Sequence, residues 1–562
     1  MTEINESVAA VAELAPPLYR TAALDTAHIG DINGAFGTIR RGDHGPRIGW
    51  RARLMTLLAI LGPGLIVMVG DNDAGAFSTY AQAGQNYGTS LLWTLMLLIP
   101  VLYVNQEMVL RLGAVSGVGH ARLILERFGK FWGAFSVIDL FLLNALTIVT
   151  EFIGISLAFG YLGLPTNLGV LGAAALVMLA VSTGNFRRFE RFAVFLVFGS
   201  LLLVPLIILV HPPLGQITRD FFIPQMPETD KLSDVILLII AIVGTTVAPW
   251  QLFFQQSYVV DKRITTRFVK YERLDLVIGI GFVMVGAVAI LGCAAAVFAG
   301  QPEAGNFADT GAVAAGIEKY AGQLPAILFT LALIDACIIG ASAVSLATAY
   351  AIGDIMTLRH SLHRKVTDAK GFYGVYFGLV LLSAVLVMTP GTPLGLLTNA
   401  VQALAGVLLP SSTVFLLLLC NDRDVLGPWV NSRGLNLFTG AIIAVLVMLS
   451  LILTLAVLFP DISDTQILGI LIGGCILALV VAVGVRFAES VSAPKKVPAA
   501  NVAAAAQQER QRATWRMPPL AELRPAKLTT LNRIWLIVLR SYLILAAGLV
   551  LARIVQLATT GA

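Results

Sequence analysis

The chain has 562 residues, 57% of them hydrophobic and only 13% charged, and a net charge of +5. Soluble domains carry about 25% charged residues, so this deficit excludes an ordinary water-facing surface. The basic residues are spread among the breaks between apolar runs, which excludes a nucleic-acid binder and leaves them the role of setting topology.

Residues 1–50 are polar and read as a cytosolic tail, with no short apolar stretch near Met1 of the cleavable-leader kind. A spanning helix needs about 20 mostly apolar residues. Runs of that kind predict helices near 54–84, 88–112, 131–158, 168–184, 190–210, 233–260, 275–299, 323–352, 372–389, 394–420, 436–459 and 465–487. Residues 51–487 thus form a polytopic all-α core of about 12 transmembrane helices. The runs are continuous rather than alternating, which selects helices over barrel strands. A polar linker covers 488–532. The C-terminal segment 533–562 holds a last apolar stretch, Ile534 to Leu557, interrupted by Arg540 and Arg553, which either spans or lies in the interface.

With the N-terminus inside, the cytosolic connections carry Arg122, Arg127, Lys130, Arg187, Arg188, Arg191, Lys262, Arg263, Arg267, Arg364 and Lys365, among others. The outer connections offer Arg219, Lys231 and Lys319. That asymmetry supports a cytoplasmic N-terminus in the cell membrane. The cysteines, Cys293, Cys337, Cys420 and Cys475, sit in apolar segments without metal-ligand spacing and read as small core residues.

Two predicted spans are interrupted in the same way. The first holds Gly62-Pro63-Gly64 and then Gly70-Asp71-Asn72-Asp73, and the sixth holds Gly244-Thr245-Thr246-Val247-Ala248-Pro249. Unwound backbone survives at membrane depth only where protein or a water-filled cavity satisfies it. Paired broken helices in corresponding positions point to an inverted-repeat transporter whose freed carbonyls bind cations near the midplane. Asp71, Asp73, Glu151 and Asp335 fall inside predicted spans. Intramembrane acids are expensive and usually mark an ion path. Asp139 and Glu107 lie nearer predicted helix ends.

Taken together, these residues resemble the NRAMP metal-ion transporters. The likeness rests on Asp73-Ala74-Gly75-Ala76, on Arg111-Leu112-Gly113-Ala114-Val115-Ser116-Gly117, and on Glu151-Phe152-Ile153-Gly154. It continues through Gln402, Leu409-Pro410, Asp422-Arg423 and Val430-Asn431-Ser432-Arg433. The resemblance implies a LeuT-like inverted repeat of two five-helix units with helices 1 and 6 broken. It also implies inward movement of divalent metal with protons, and no cofactor or enzymatic activity.

This chain departs from the family at the site itself. Ala248 stands where the resemblance places a metal-binding methionine, and Ala76 where it places an asparagine ligand. Trp250 and Gln255 replace two histidines, and Ile148 replaces an aspartate. Loss of the thioether removes the main preference for softer metals. A hard ion that keeps its waters suits what remains, and the pattern resembles the magnesium-transporting branch of the family. The expected metal site is Asp73, with Thr245, Gln251, Gln402 and Asp71 around the hydration shell and Ala248 giving it room. Ala76, Glu151, Gln255 and Asp335 are further pathway candidates.

All six histidines fall in tails, loops or helix ends, so proton coupling is expected to be weak. A negative interior favours entry by about 2.3 kcal/mol per charge per 100 mV, and a divalent ion gains twice that. The cargo expected is magnesium, with manganese beside it. The alternative is a proton-coupled manganese or iron symporter. A sodium-coupled amino-acid carrier is disfavoured because Asp73 would repel a substrate carboxylate. No nucleophile–base pair or metalloprotease motif supports a membrane enzyme.

Overall fold

The computed structural model describes residues 24–227, 232–390, 394–459, 463–492, 511–512, 515–526 and scattered positions between 536 and 552. Lys231 and Arg553 lie outside them, as does most of the stretch expected to span or lie flat near the C-terminus.

The first predicted span is three helices: α1 (Trp50–Ile60), α2 (Pro63–Val69) and α3 (Ala74–Tyr87). Both expected interruptions are present: the break at Gly70–Asp73, and at Gly62-Pro63-Gly64 a 53° bend between α1 and α2. Gly62 makes that bend with φ +155°, and a Cβ there would sit 2.3 Å from a Glu190 carboxylate oxygen. The chain continues through α4 (Leu92–Ser116), α5 (His120–Phe128), α6 (Lys130–Tyr161) and α7 (Thr166–Val181). The fifth span is split into α8 (Phe186–Gly199), a 3-10 turn (Ser200–Leu202) and α9 (Leu203–Val210). A connecting helix, α10 (Leu214–Phe222), follows.

The second set begins with the broken pair α11 (Leu232–Thr246) and α12 (Pro249–Asp261). Next come α13 (Val269–Phe298), a connecting helix α14 (Thr310–Ala321), α15 (Gln323–Met356), α16 (Lys370–Met388) and α17 (Leu394–Cys420). After a short α18 (Arg423–Leu426), α19 (Arg433–Leu458) and α20 (Asp464–Ser492) complete the described helices. Among the described residues eight helices are long and apolar enough to cross a membrane, nine with the bent pair; three shorter apolar helices bring the set to the twelve expected. The connecting helices α10 and α14, which carry Arg219 and Lys319, were not anticipated.

The packing follows a two-unit plan. α13, in the second set, lies along both α2 and α3 of the first broken span, and α4, in the first set, lies along both α11 and α12 of the other. The α6 and α15 helices, third in each set, pack on one another. Close approach depends on small residues: a Cβ on Gly64 would lie 2.7 Å from the backbone of Leu276 in α13.

Residues expected as part of a tail are folded against this core. β1 (Ile32–Gly34) and β2 (Gly37–Ile39) form an antiparallel hairpin, with Ile32 opposite Ile39. Arg187 donates to Gly34 O at 3.0 Å, Arg191 to Ala35 O at 2.9 Å, and Arg263 to Ala27 O and Asp31 O, each at 2.9 Å. Part of the 488–532 linker is also packed: Ala526 N donates to Arg127 O at 2.8 Å and Arg516 to the Thr266 hydroxyl at 3.1 Å. Cys293, Cys337 and Cys420 are buried, but Cys475 is exposed on α20, unlike the core residue expected.

Candidate metal-ion site between the broken helices

The first break follows from its residues. α2 ends at Gly70, and Asp73 in extended backbone (φ −72°, ψ −175°) caps α3 by accepting from Ala76 N at 2.9 Å. Aspartate is among the best N-caps, and its charge suits the positive end of the helix. Ala74 N donates to Glu151 Oε2 at 3.1 Å, so a second carboxylate shares that helix start. Asn72 Nδ2 donates to Val283 O at 3.1 Å and pins the break to α13.

The sixth-span break has a different cause. Val247 N makes the last bond of α11, to Val243 O at 3.0 Å. Pro249 opens α12 and has no N–H to return to the Thr245 carbonyl, so that oxygen loses its helical partner. Ala248 sits at the turn (φ −88°, ψ 143°) and offers no capping side chain.

A cavity lies between the breaks, lined by Asp73, Leu143, Thr147, Gly244, Thr245, Ala248, Trp250, Val401 and Ala405, with about 310 Å³ of empty space including its mouth. Among the described residues of that lining, Asp73 is the sole ionisable side chain, Thr147 and Thr245 add hydroxyl oxygens, and there is neither a sulfur nor a histidine nitrogen. Among the described residues no cluster of three or more His, Cys, Asp or Glu side chains forms a metal cage. The site offers one carboxylate, two hydroxyls and backbone oxygen, the donor set of a hard cation that keeps part of its water.

Of the expected site residues, Asp73, Thr245 and Ala248 meet at this cavity. Asp71 and Gln251 lie off its lining, fully buried and joined to each other: Gln251 Nε2 donates to Asp71 Oδ1. Gln251 Nε2 also reaches Thr246 O at 3.3 Å, and its Oε1 accepts from Gln106 Nε2 at 3.0 Å. Ala76 is buried beside the site and contributes only its amide to Asp73. Glu151 is buried, with one oxygen on Ala74 N and the other against Gly340. Gln255 is buried with neither amide atom partnered. Asp335 is placed away from the lining, its carboxylate against Gly199. Gln402 is within α17, but its side chain lies outside the described residues.

Residues not anticipated are Leu143 and Thr147 on α6, Val401 and Ala405 on α17, and the Tyr80 hydroxyl bonded to Thr246 Oγ1 at 2.7 Å. One signal was available for Thr147. It precedes Glu151 by four residues and so shares its helix face. None of the described histidines lines the cavity. His28 donates to His360 O at 2.9 Å near Asp261, His363 reaches Asp261 O at 3.2 Å, and His120 pairs with Gln256 at 2.8 Å.

Comparison with known proteins bears on the family and the fold. The sequence profile described as "Natural resistance-associated macrophage protein-like" (Nramp) matches residues 64–456. The "Divalent metal cation transporter MntH" of Deinococcus radiodurans is 28% identical over 435 residues, covering 74% of this chain and 92% of the relative. A protein of the same name from Ralstonia nicotianae is 29% identical over 403 residues, covering 67% and 86%. Crystal structures of the Eremococcus coleocola manganese transporter, one of a mutant and one in complex with an aromatic bis-isothiourea substituted compound, share the fold. Their TM-scores are 0.61 and 0.62 at 21% identity, over 81% of this chain and 96% of theirs. The chain therefore belongs to the Nramp family: it is an integral membrane transporter of divalent metal cations, which are its cargo and not a cofactor, and it is not an enzyme.

Proposed function

We propose that this transporter carries magnesium, partly hydrated, by alternating access and without obligate proton flux. It sits in the cell membrane with its N-terminus in the cytoplasm. The observation that carries this reading is the cavity lining: among the described residues one carboxylate, Asp73, with Thr147 and Thr245 and no sulfur donor, around the small side chain of Ala248. Magnesium dehydrates reluctantly and is usually held through one or two carboxylates and several waters. A thioether would favour softer metals, and its place is empty of function here. The absence of histidine from the described lining supports the uncoupled mechanism, because histidine is the side chain suited to carry a proton near neutral pH.

A second reading, proton-coupled manganese uptake, is favoured by the names of the relatives, which are divalent metal cation and manganese transporters. Uptake into liposomes holding the purified protein separates the two. Saturable magnesium entry without magnesium-driven proton influx is the expected result. Manganese entry accompanied by protons, with no magnesium entry, would replace the first reading with the second.

A further inference from the structure

We propose that Asp71, Gln251 and Gln106 form a second cation station, separate from the Asp73 cavity and reached through a reversal of the two glutamine amides. The inference rests on the cation-transport reading above and extends it from one stopping point to two.

Asp71 is completely buried on the α2 side of the first break. Its Oδ1 accepts from Gln251 Nε2, while Oδ2 has no partner. Gln251 in turn accepts from Gln106, and the outer end of this chain, Gln106 Oε1, is also buried without a partner. Buried polar atoms in folded proteins are nearly always satisfied, and leaving one bare costs about 1–3 kcal/mol. Two bare oxygens at opposite ends of one hydrogen-bonded chain need an explanation.

The chain has two registers. In the one observed, each amide donates toward Asp71, and Gln106 Oε1 is left over. The oxygen and nitrogen ends of an amide have nearly the same shape, so a half-turn of each side chain exchanges them. After that exchange Gln251 Nε2 donates to Gln106 Oε1, the atom now bare. Gln251 Oε1 then faces the Asp71 carboxylate. Two oxygens so placed, with Thr246 O beside them, repel unless a cation or a proton lies between them. The observed register therefore closes the station with a hydrogen bond, and the reversed register opens it as a set of oxygen ligands. Carboxylate, amide carbonyl and water are the ligands hard divalent cations take. Asp71 is two residues from Asp73, and two divalent ions that close would repel strongly, so one ion uses the stations in turn.

The test is magnesium uptake and cadmium block in proteoliposomes with the full chain, in a Cys337→Ala background that removes the thiol nearest Glu151. Asp71→Cys places a soft thiolate at the station, and about tenfold greater sensitivity to cadmium than in the parent is expected, reversed by a dithiol chelator. If Asp71→Cys does not transport, equilibrium binding to the purified variant serves instead, and one added cadmium per chain is expected. The isosteric Asp71→Asn should keep KM for magnesium within about twofold while the maximal rate falls about tenfold, since entry at Asp73 is untouched. Unchanged cadmium sensitivity and binding, or an Asp71→Asn variant transporting at the parental rate, overturns the second station and leaves the cavity reading standing. Failure of the parent to take up either magnesium or manganese overturns both.

Discussion

The two breaks do opposite things with similar means. The first is charged: Gly70 to Asp73 carries two buried carboxylates, one capping α3 and one bound to Gln251. The second is made by subtraction. Pro249 withholds an amide, Ala248 withholds a functional group, and no charged side chain lies between Gly244 and Gln251. Affinity for a cation should therefore be set by the first break, and the choice among cations by the second.

The largest effect expected is from Asp73→Ala. Removing the cavity's carboxylate should lower magnesium uptake in liposomes at least about 100-fold, while loss of an N-cap moves stability by only about 0.5–2 kcal/mol in a thermal melt. Residual uptake above a tenth of the parental rate would break the assignment of charge to the first break.

Lys262→Met probes how the broken spans hold each other. Lys262, at the end of α12, bonds Glu190 Oε1 at 2.6 Å and the carbonyls of Ile60 and Leu61 at 2.6 and 2.9 Å, and both charged groups are fully buried. Leaving Glu190 charged and alone should destabilise the protein by about 3–5 kcal/mol, and adding Glu190→Gln should recover much of that. A melting temperature unchanged in the single variant would show the pair to be dispensable.

Ala248→Met sharpens the other side of the comparison. A thioether at the cavity should raise manganese uptake relative to magnesium by about tenfold, measured with both ions competing. An unchanged ratio would move selectivity away from the second break.

The smallest effect expected concerns the N-terminal anchor. Burial disfavours the charge on Asp25, but the Arg364 guanidinium, 2.5 Å away, together with the Ala27 amide and His28, outweighs it and holds the carboxyl down to about 2 from its ordinary 3.8. A folded pKa below the unfolded one means the contact stabilises above about pH 4 and is lost as pH falls toward about 2. Protease cleavage ahead of the hairpin should increase over that window, and Asp25→Asn should remove the dependence.

Much of this was legible because the breaks are written in residues with strong backbone preferences. Gly-Pro-Gly, the Asp cap and the Ala-Pro step act locally, so a reader of the chain can place them. The partner helices are another matter. Leu143, Thr147, Val401 and Ala405 look like any apolar helix residue, and only the register of α6 against α17 turns them toward the cavity. The Asp71–Gln251 bond joins positions 180 apart, and no local pattern announces it. Arg187, Arg191 and Arg263 were read as markers of sidedness, and they are also the hands that grip the hairpin carbonyls. The interruption at Gly62 was readable from Gly62-Pro63-Gly64, but the Glu190 carboxylate packed against it, far along the chain, was not.

The hairpin and the N-terminal end of the first span hang on the same hook. Ala35 N donates to Glu190 Oε2 at 2.5 Å while the other oxygen of that carboxylate holds Lys262, and Gly34 is so close to Ala59 that a Cβ would meet its carbonyl at 2.0 Å. Tilting α1 and α2 away from α12 thus requires lifting the hairpin with them or tearing it free. The segment ahead of the transporter core is thus geared to the broken span: the two move as one piece, or the Glu190 contacts part.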